Sequence, residues 1–363
     1  MKYSLVLIFF SFSCLCYGED SILNLQKIRS RGDFISEQYV IQDGEHKLSL
    51  VSDPTERTIL KRQLYLEDIS LPESLFFDTQ ISALSADGDD IWLGSRSGDI
   101  ARYSLSERKW TSFVRGEESL AIRMVQSIQI ESERIWFLSY GSVAIYSKRH
   151  DRFIQLSIPD DQEYRGLQSA VLMGQGLISG TQSSNLRRIR LDSQSVIQQT
   201  PSLRNITFLK DLKNGTLLAG TEMDGLFILD EYFQPRPLSE NNRKTSAVRA
   251  VLGDPDVRMI GGSYGAGLFQ LVRQGEGYDI VFLHTPVQWI TDGVEIKGEY
   301  YFSSLGQGLV VLDGETLQSR FYGISEGLSG LDINALVYVD PYLICAVQGQ
   351  GIIKIHENYF KTP

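Results

Sequence analysis

Few residues in this chain of 363 stand at spacings that could do chemistry. The four histidines are His46, His150, His284 and His356, and none lies within four residues of another. No local pair is therefore placed to grip a metal ion. The acidic turn Asp87-Gly88-Asp89-Asp90 lacks the alternating oxygen ligands and closing Glu of a calcium loop, and Asp-Gly is ordinary turn chemistry. Paired glycines at Gly265/Gly267, Gly306/Gly308 and Gly349/Gly351 could cradle a phosphate only ahead of a helix N-terminus. Strand-type residues follow each pair instead. These residues predict turns, with no metal, no cofactor and no catalytic set.

The stretch Ile91 to Ser104, IWLGSRSGDIARYS, reads as strand, tight turn, strand. Versions of it recur as IWFLSYGSVAIYS from Ile135, LISGTQSSNLRRIR from Leu177, LLAGTEMDGLFILD from Leu217, MIGGSYGAGLFQLV from Met259, YYFSSLGQGLVVLD from Tyr300 and LICAVQGQGIIKIH from Leu343. The residues closing the first strand of each are Gly94, Leu138, Gly180, Gly220, Gly262, Ser303 and Ala346, at steps of 44, 42, 40, 42, 41 and 43. The glycine pairs thus fall at the repeat period, between the second and third strands of each unit.

Each unit divides into four short strands. In the first, ISALSA precedes the turn DGDD, IWLGS is apolar enough for burial on both faces, IARYSL alternates like a half-buried strand, and WTSFV lies at the rim. A period near 42 with four strands per unit predicts a β-propeller of seven blades. The seventh unit has no room for a fourth strand before residue 363. An open sheet edge invites aggregation, and TILKRQLYLE, just ahead of the first unit, is spare. Residues 58–67 are therefore expected to serve as the closing strand of the last blade. The alternative is eight blades, because Ser52 lies 42 residues before Gly94 and a hairpin around Asp43-Gly44, within Gln38 to Val51, is also predicted.

The domain reading is then 1–18 a signal peptide, 19–57 an N-terminal extension and hairpin, and 58–363 the propeller. Lys2 followed by the apolar run Leu5 to Phe12 is too short to span a bilayer and reads as an export signal, with cleavage after Gly18. Cys14 is the alternative lipid-attachment point, and soluble export is preferred over a lipoprotein. Cleavage would leave Cys345 as the single cysteine, in the apolar run LICAV, expected to be a small buried hydrophobe. The formal charge of −10 argues against nucleic-acid binding, which needs clustered Lys and Arg.

The unit ISALSADGDDIWLGSRSGDIARYSLSERKWTSF resembles the propeller repeat of bacterial two-component regulators. That pattern is an apolar strand, an Asp-Gly turn, Ile-Trp-Ile-Gly-Thr, then Gly-Leu and another apolar strand. The likeness runs from about Ile81 to His356 and is weaker in units two and three. It implies a propeller fold and a periplasmic setting, but no kinase or DNA-binding segment accompanies the repeats here.

The side chains left for function are those on the turns between second and third strands: Arg96, Tyr140, Gln182, Glu222, Tyr264, Gln307, Gln348 and Gln350. Equivalent turns of a propeller share one face, and loops on a rigid scaffold are where recognition resides. The expectation is an exported, monomeric, non-catalytic scaffold binding an envelope protein or ligand. Its alternatives are an envelope hydrolase or lyase working in the central channel, acting on carbohydrate, and a stand-alone sensor module for a signalling partner.

Overall fold

The structure is a computed structural model, and it describes residues 24–26, 38–42, 45–46, 54–72, 80–113, 122, 124–139, 142–156, 167–174, 176–181, 186–190, 196–199, 203–212, 215–239, 242–275 and 277–361. Seven four-stranded antiparallel sheets follow one another along the chain. Their first strands are Ile81–Asp87, Val125–Ile130, Leu167–Met173, Ile206–Asp211, Val248–Asp254, Ile290–Ile296 and Ile333–Val339. These touch in cyclic order, the last against the first. The molecule is a seven-bladed β-propeller with the first strand of each blade innermost.

The ring closes as a composite blade. Leu66–Ser70 pairs antiparallel with Gly351–His356 as the outer strand of the seventh sheet, with Ile69 opposite Ile352 and Glu67 opposite Lys354. The closing strand is thus 66–70 and not 58–67. Residues 58–65 belong to a helix, α1 (Pro54–Tyr65). Proline suits the first helical position, and the straight-chain Leu, Lys, Arg and Gln of this segment favour a helix. The spacing of Thr58, Lys61, Arg62 and Tyr65 puts them on one helical face. Thr58 Oγ1 donates to the Ser325 carbonyl at 3.3 Å and Arg62 Nη1 to the Gly327 carbonyl at 2.8 Å. The Lys61 ammonium lies 4.5 Å from the Tyr359 ring centre, and Tyr65 is buried. A second helix, α2 (Asn358–Lys361), buries Tyr359 and Phe360 beside it.

The eighth blade is not formed. Gln38–Gln42 does make a hairpin with Glu45–His46, but with Asn24–Gln26 it builds a separate three-stranded sheet. The signal segment and Cys14 lie outside the described residues.

The core is divided among the seams. Each hydrophobic cluster joins two neighbouring blades: Trp92 and Ile100 of the first pack with Phe137 and Tyr146 of the second, and Ile81 and Leu93 pack with Ile344 and Ile352 across the closure. Second strands are buried on both faces, as in Ile91 to Ser95. Cys345 sits fully buried in this layer, where burial pushes its thiol up.

The marker glycines have a steric cause. A Cβ on Gly94 would lie 2.4 Å from the Val125 side chain, and one on Gly262 2.5 Å from Ile290. In both, the neighbour is the first residue of the next blade's inner strand. Hence the absent side chain is what lets adjacent blades close up.

A second periodic feature escapes the apolar pattern. Near its start, every inner strand carries a β-bulge, one residue longer than its partner. The extra residues are Ser82, Gln126, Gln168, Thr207, Arg249, Thr291 and Asn334. Four of them reach the next blade: Ser82 Oγ donates to the Val125 carbonyl at 2.6 Å, Thr207 Oγ1 to Val248 at 2.9 Å, Thr291 Oγ1 to Ile333 at 2.5 Å and Asn334 Nδ2 to Ile81 at 3.0 Å. In each case the acceptor belongs to the first residue of the neighbouring inner strand.

Candidate functional site

The turns between second and third strands share a face with the segments that lead into each blade. The Arg96 amide donates to the Gln80 carbonyl, Glu222 to Asn205, Tyr264 to Ala247 and Gln348 to Asp332, all within 3.1 Å. Each acceptor is the residue just before an inner strand. Leu305 N donates to Trp289 at 3.0 Å in the same within-blade way, and further bonds stitch blade to blade: Ala247 N donates to the Thr221 and Glu222 carbonyls, Gly265 N to Gln288 at 2.8 Å, and Gly308 N to Leu331 at 2.9 Å. From blade four to blade seven this face is a hydrogen-bonded sheet of loops, rigid enough to hold side chains in register.

On it stands one cluster unlike the rest. Trp289, the residue before the sixth inner strand, is 51% exposed, and Tyr264 on the blade-five turn is 40% exposed. Their rings lie 24° from parallel with centres 6.4 Å apart, and their backbones form an isolated antiparallel bridge. The blade-five turn is shaped by Gly267, whose φ is +73° and whose Cβ, were there one, would lie 2.6 Å from the Val287 carbonyl oxygen. Only glycine lets the turn press against the segment that carries Trp289.

Arg249 completes the row. It is the bulge residue of blade five, where blades one, four, six and seven carry Ser, Thr, Thr and Asn. It extends over Tyr264, its guanidinium carbon 5.6 Å from the ring centre, with Nη2 3.7 Å from the Glu222 carboxylate. That separation is an ion pair without a close hydrogen bond. Carboxylate, guanidinium, phenol and indole thus form a line running from the turn of blade four to the entry of blade six.

Glu222 and Tyr264 are the two expected residues that the structure unites, with Arg249 between them. Gln307 reaches the same neighbourhood, its Nε2 donating to the Pro286 carbonyl at 3.1 Å in the segment that ends at Trp289. Gln348 and Gln350 stand on blade seven. Gln350 Nε2 donates to Ser329 at 2.9 Å and lines a cavity of about 390 Å³ beside Ser70 and Asp68 of the closing strand. Arg96 is exposed on blade one. Tyr140 and Gln182 lie outside the described residues. Arg249 and Trp289 are not turn residues, so inspection of turns alone misses them. Setting the inner strands in register would have exposed a cation at a place held in the other blades by Ser, Thr, Asn and Gln.

The glycine pairs are turns, with Gly265, Gly267, Gly306, Gly308, Gly349 and Gly351 all at positive φ. Gly261-Gly262-Ser263-Tyr264-Gly265 spells a Gly-x-Ser-x-Gly elbow, but such an elbow needs a strand-to-helix turn. Here a strand follows, and Ser263 is fully buried with its Oγ donating to the Ser246 carbonyl at 2.5 Å. In the inner layer, burial pushes the Asp292 carboxyl up to about 6, against the opposing pull of the Leu336 and Gly293 amides, each 2.8 Å away. Among the described residues no three His, Cys, Asp or Glu side chains gather as metal ligands, and no helix is long and apolar enough to cross a membrane.

No family model and no curated protein matches this chain. Solved structures do. The extracellular domain of a hybrid two-component system of Bacteroides thetaiotaomicron is similar at a TM-score of 0.63 and 14% identity, over 80% of this chain and 41% of that one. Virginiamycin B lyase from Staphylococcus aureus matches at 0.65 and 13%, over 80% and 98%. A computationally designed protein, Ika8, matches at 0.58 and 12%, over 80% and 99%. The chain therefore spans about two fifths of the two-component domain it resembles. At these identities the likeness is one of fold.

Proposed function

We propose that this chain is an exported, non-catalytic propeller that binds a protein or ligand of the cell envelope through the face carrying the turns between second and third strands. The observation that carries the reading is the row Glu222, Arg249, Tyr264 and Trp289. Its two aromatic rings stand in solvent on a hydrogen-bonded base. Exposed Trp and Tyr beside a partly exposed Arg are the usual anchors of an interface. Export rests on Lys2 and the short apolar run Leu5 to Phe12.

The test is photo-crosslinking in the source cell, comparing wild type with Tyr264→Ala/Trp289→Ala. Loss of the crosslinked species in the double variant, with the thermal transition unchanged, is expected. Undiminished crosslinking would reject this face. A second reading, a stand-alone sensor module serving a separate membrane partner, is favoured by the fold likeness to a two-component extracellular domain. Under that reading the crosslinked species is a membrane-embedded signalling protein.

A further inference from the structure

Resting on the reading of that face, we propose that Trp289 receives an arginine side chain from a basic segment of the partner. The molecule already contains the arrangement once. The Arg249 guanidinium lies over Tyr264 at 5.6 Å and beside the Glu222 carboxylate at 3.7 Å. The next ring in the row, Trp289, is nearly parallel to Tyr264 and half exposed.

The electrostatics favour a cation there. Indole is the strongest of the three aromatic faces for a cation, and guanidinium is the cation that stacks best. Carboxylates stand on both sides of the ring pair. Glu222 lies toward blade four, its charge already paired with Arg249. Toward blade seven is the exposed Asp332, whose Oδ1 accepts the Gly306 amide at 2.7 Å, next to Leu305, which bonds the Trp289 carbonyl. The formal charge of −10 raises the local concentration of a basic segment. A guanidinium over Trp289 continues the row by one place: carboxylate, Arg249, Tyr264, Trp289, incoming arginine. Arg249 keeps its position and occupies Tyr264, which directs the newcomer to the indole.

The experiment is calorimetric titration of the purified chain with end-capped tetra-arginine, tetra-lysine and tetra-citrulline peptides at 20 mM and 200 mM salt. Citrulline keeps the planar group and removes the charge, while lysine keeps the charge and removes the plane. Tetra-arginine is expected to bind at least tenfold more tightly than either. Trp289→Ala should weaken it at least tenfold, Asp332→Asn about threefold, and 200 mM salt severalfold. Equal binding of tetra-lysine would overturn the proposal by reducing it to general charge attraction, and so would undiminished binding by Trp289→Ala. Neutral xylo- and cello-oligosaccharides form a further arm, and binding of these at Trp289 in place of tetra-arginine would overturn it in favour of a glycan. The two readings fail separately. A crosslinked partner that is lost in Tyr264→Ala/Trp289→Ala but carries no basic segment leaves the face standing and removes this inference.

Discussion

Asn334 of the seventh blade donates through Nδ2 to the main-chain carbonyl of Ile81 in the first, at 3.0 Å. It repeats across the closure the bond that Ser82 makes to Val125 within the continuous chain. The seam where the early and late parts of the chain meet therefore carries the same inner bond as the seams that follow blades one, four and six.

The bulge bonds are expected to be independent of one another. Asn334→Ala and Thr207→Ala should each cost about 1 kcal/mol, the ordinary net worth of a side-chain hydrogen bond. The double variant should cost their sum, since the two seams share no partner. Urea unfolding of the four proteins checks this.

Close approach at the marker positions predicts a sharp steric penalty with a specific rescue. Gly262→Ala places a methyl 2.5 Å from Ile290 Cγ2 and should cost about 1–3 kcal/mol by overpacking. Ile290→Ala alone should cost about 2–5 kcal/mol by leaving a cavity. Combining them should recover part of the loss, because the two changes fill and empty the same space. Additive losses by thermal melting would show that the marker glycine acts through the backbone.

The closing strand should be sensitive where its side chains turn into the seam. Ile69 is 8% exposed and packs into the cluster between blades seven and one. Ile69→Ala is expected to cost about 2–4 kcal/mol. Ile154→Ala, in the outer strand of blade two where the side chain is 37% exposed, should stay below about 1 kcal/mol. Chemical denaturation of both variants compares them directly.

Asp292 predicts a pH dependence of unusual sign. Its carboxyl is raised in the folded state from 3.8 to about 6. Between those values the folded chain holds a proton that the unfolded chain has lost. Stability from this group is therefore full below about pH 4, falls as pH rises, and levels off above about 6. The fall is at most about 3 kcal/mol, from roughly 1.4 kcal/mol per pKa unit, and the partial exposure of Asp292 reduces it. Asp292→Asn keeps the shape and should remove that slope from stability measured between pH 4 and 7. An unchanged slope would place the titration elsewhere.

The repeat was legible because its cause is steric. Gly94, Gly180, Gly220 and Gly262 are small for one reason, the approach of the next inner strand, and a reason repeated in space leaves a period in the sequence. The segment Thr58 to Glu67 was misread because leucines and tyrosine set between long polar residues satisfy a strand and a helix alike. What decided it was Ser325, Gly327 and Tyr359, some 265 to 300 positions away. The bulges were invisible because one inserted residue disturbs alternation only locally. Arg249 was hidden with them, and Trp289 precedes an inner strand and does not sit on a turn between second and third strands. Half of the central cluster therefore had to come from coordinates, while Glu222 and Tyr264 followed from turn positions alone.

Ser70 faces Gly351 in the finished circle, about 280 residues along the chain. At a synthesis rate of roughly 5–20 residues per second, the early strand waits on the order of 15–60 seconds for its mate. Any arc of blades formed within that interval has one bare flank on its newest blade and a clasp with nothing to hold. Whatever escorts the nascent chain must shield an unfinished edge whose position moves with every blade added, and its task ends only when the last inner hairpin emerges.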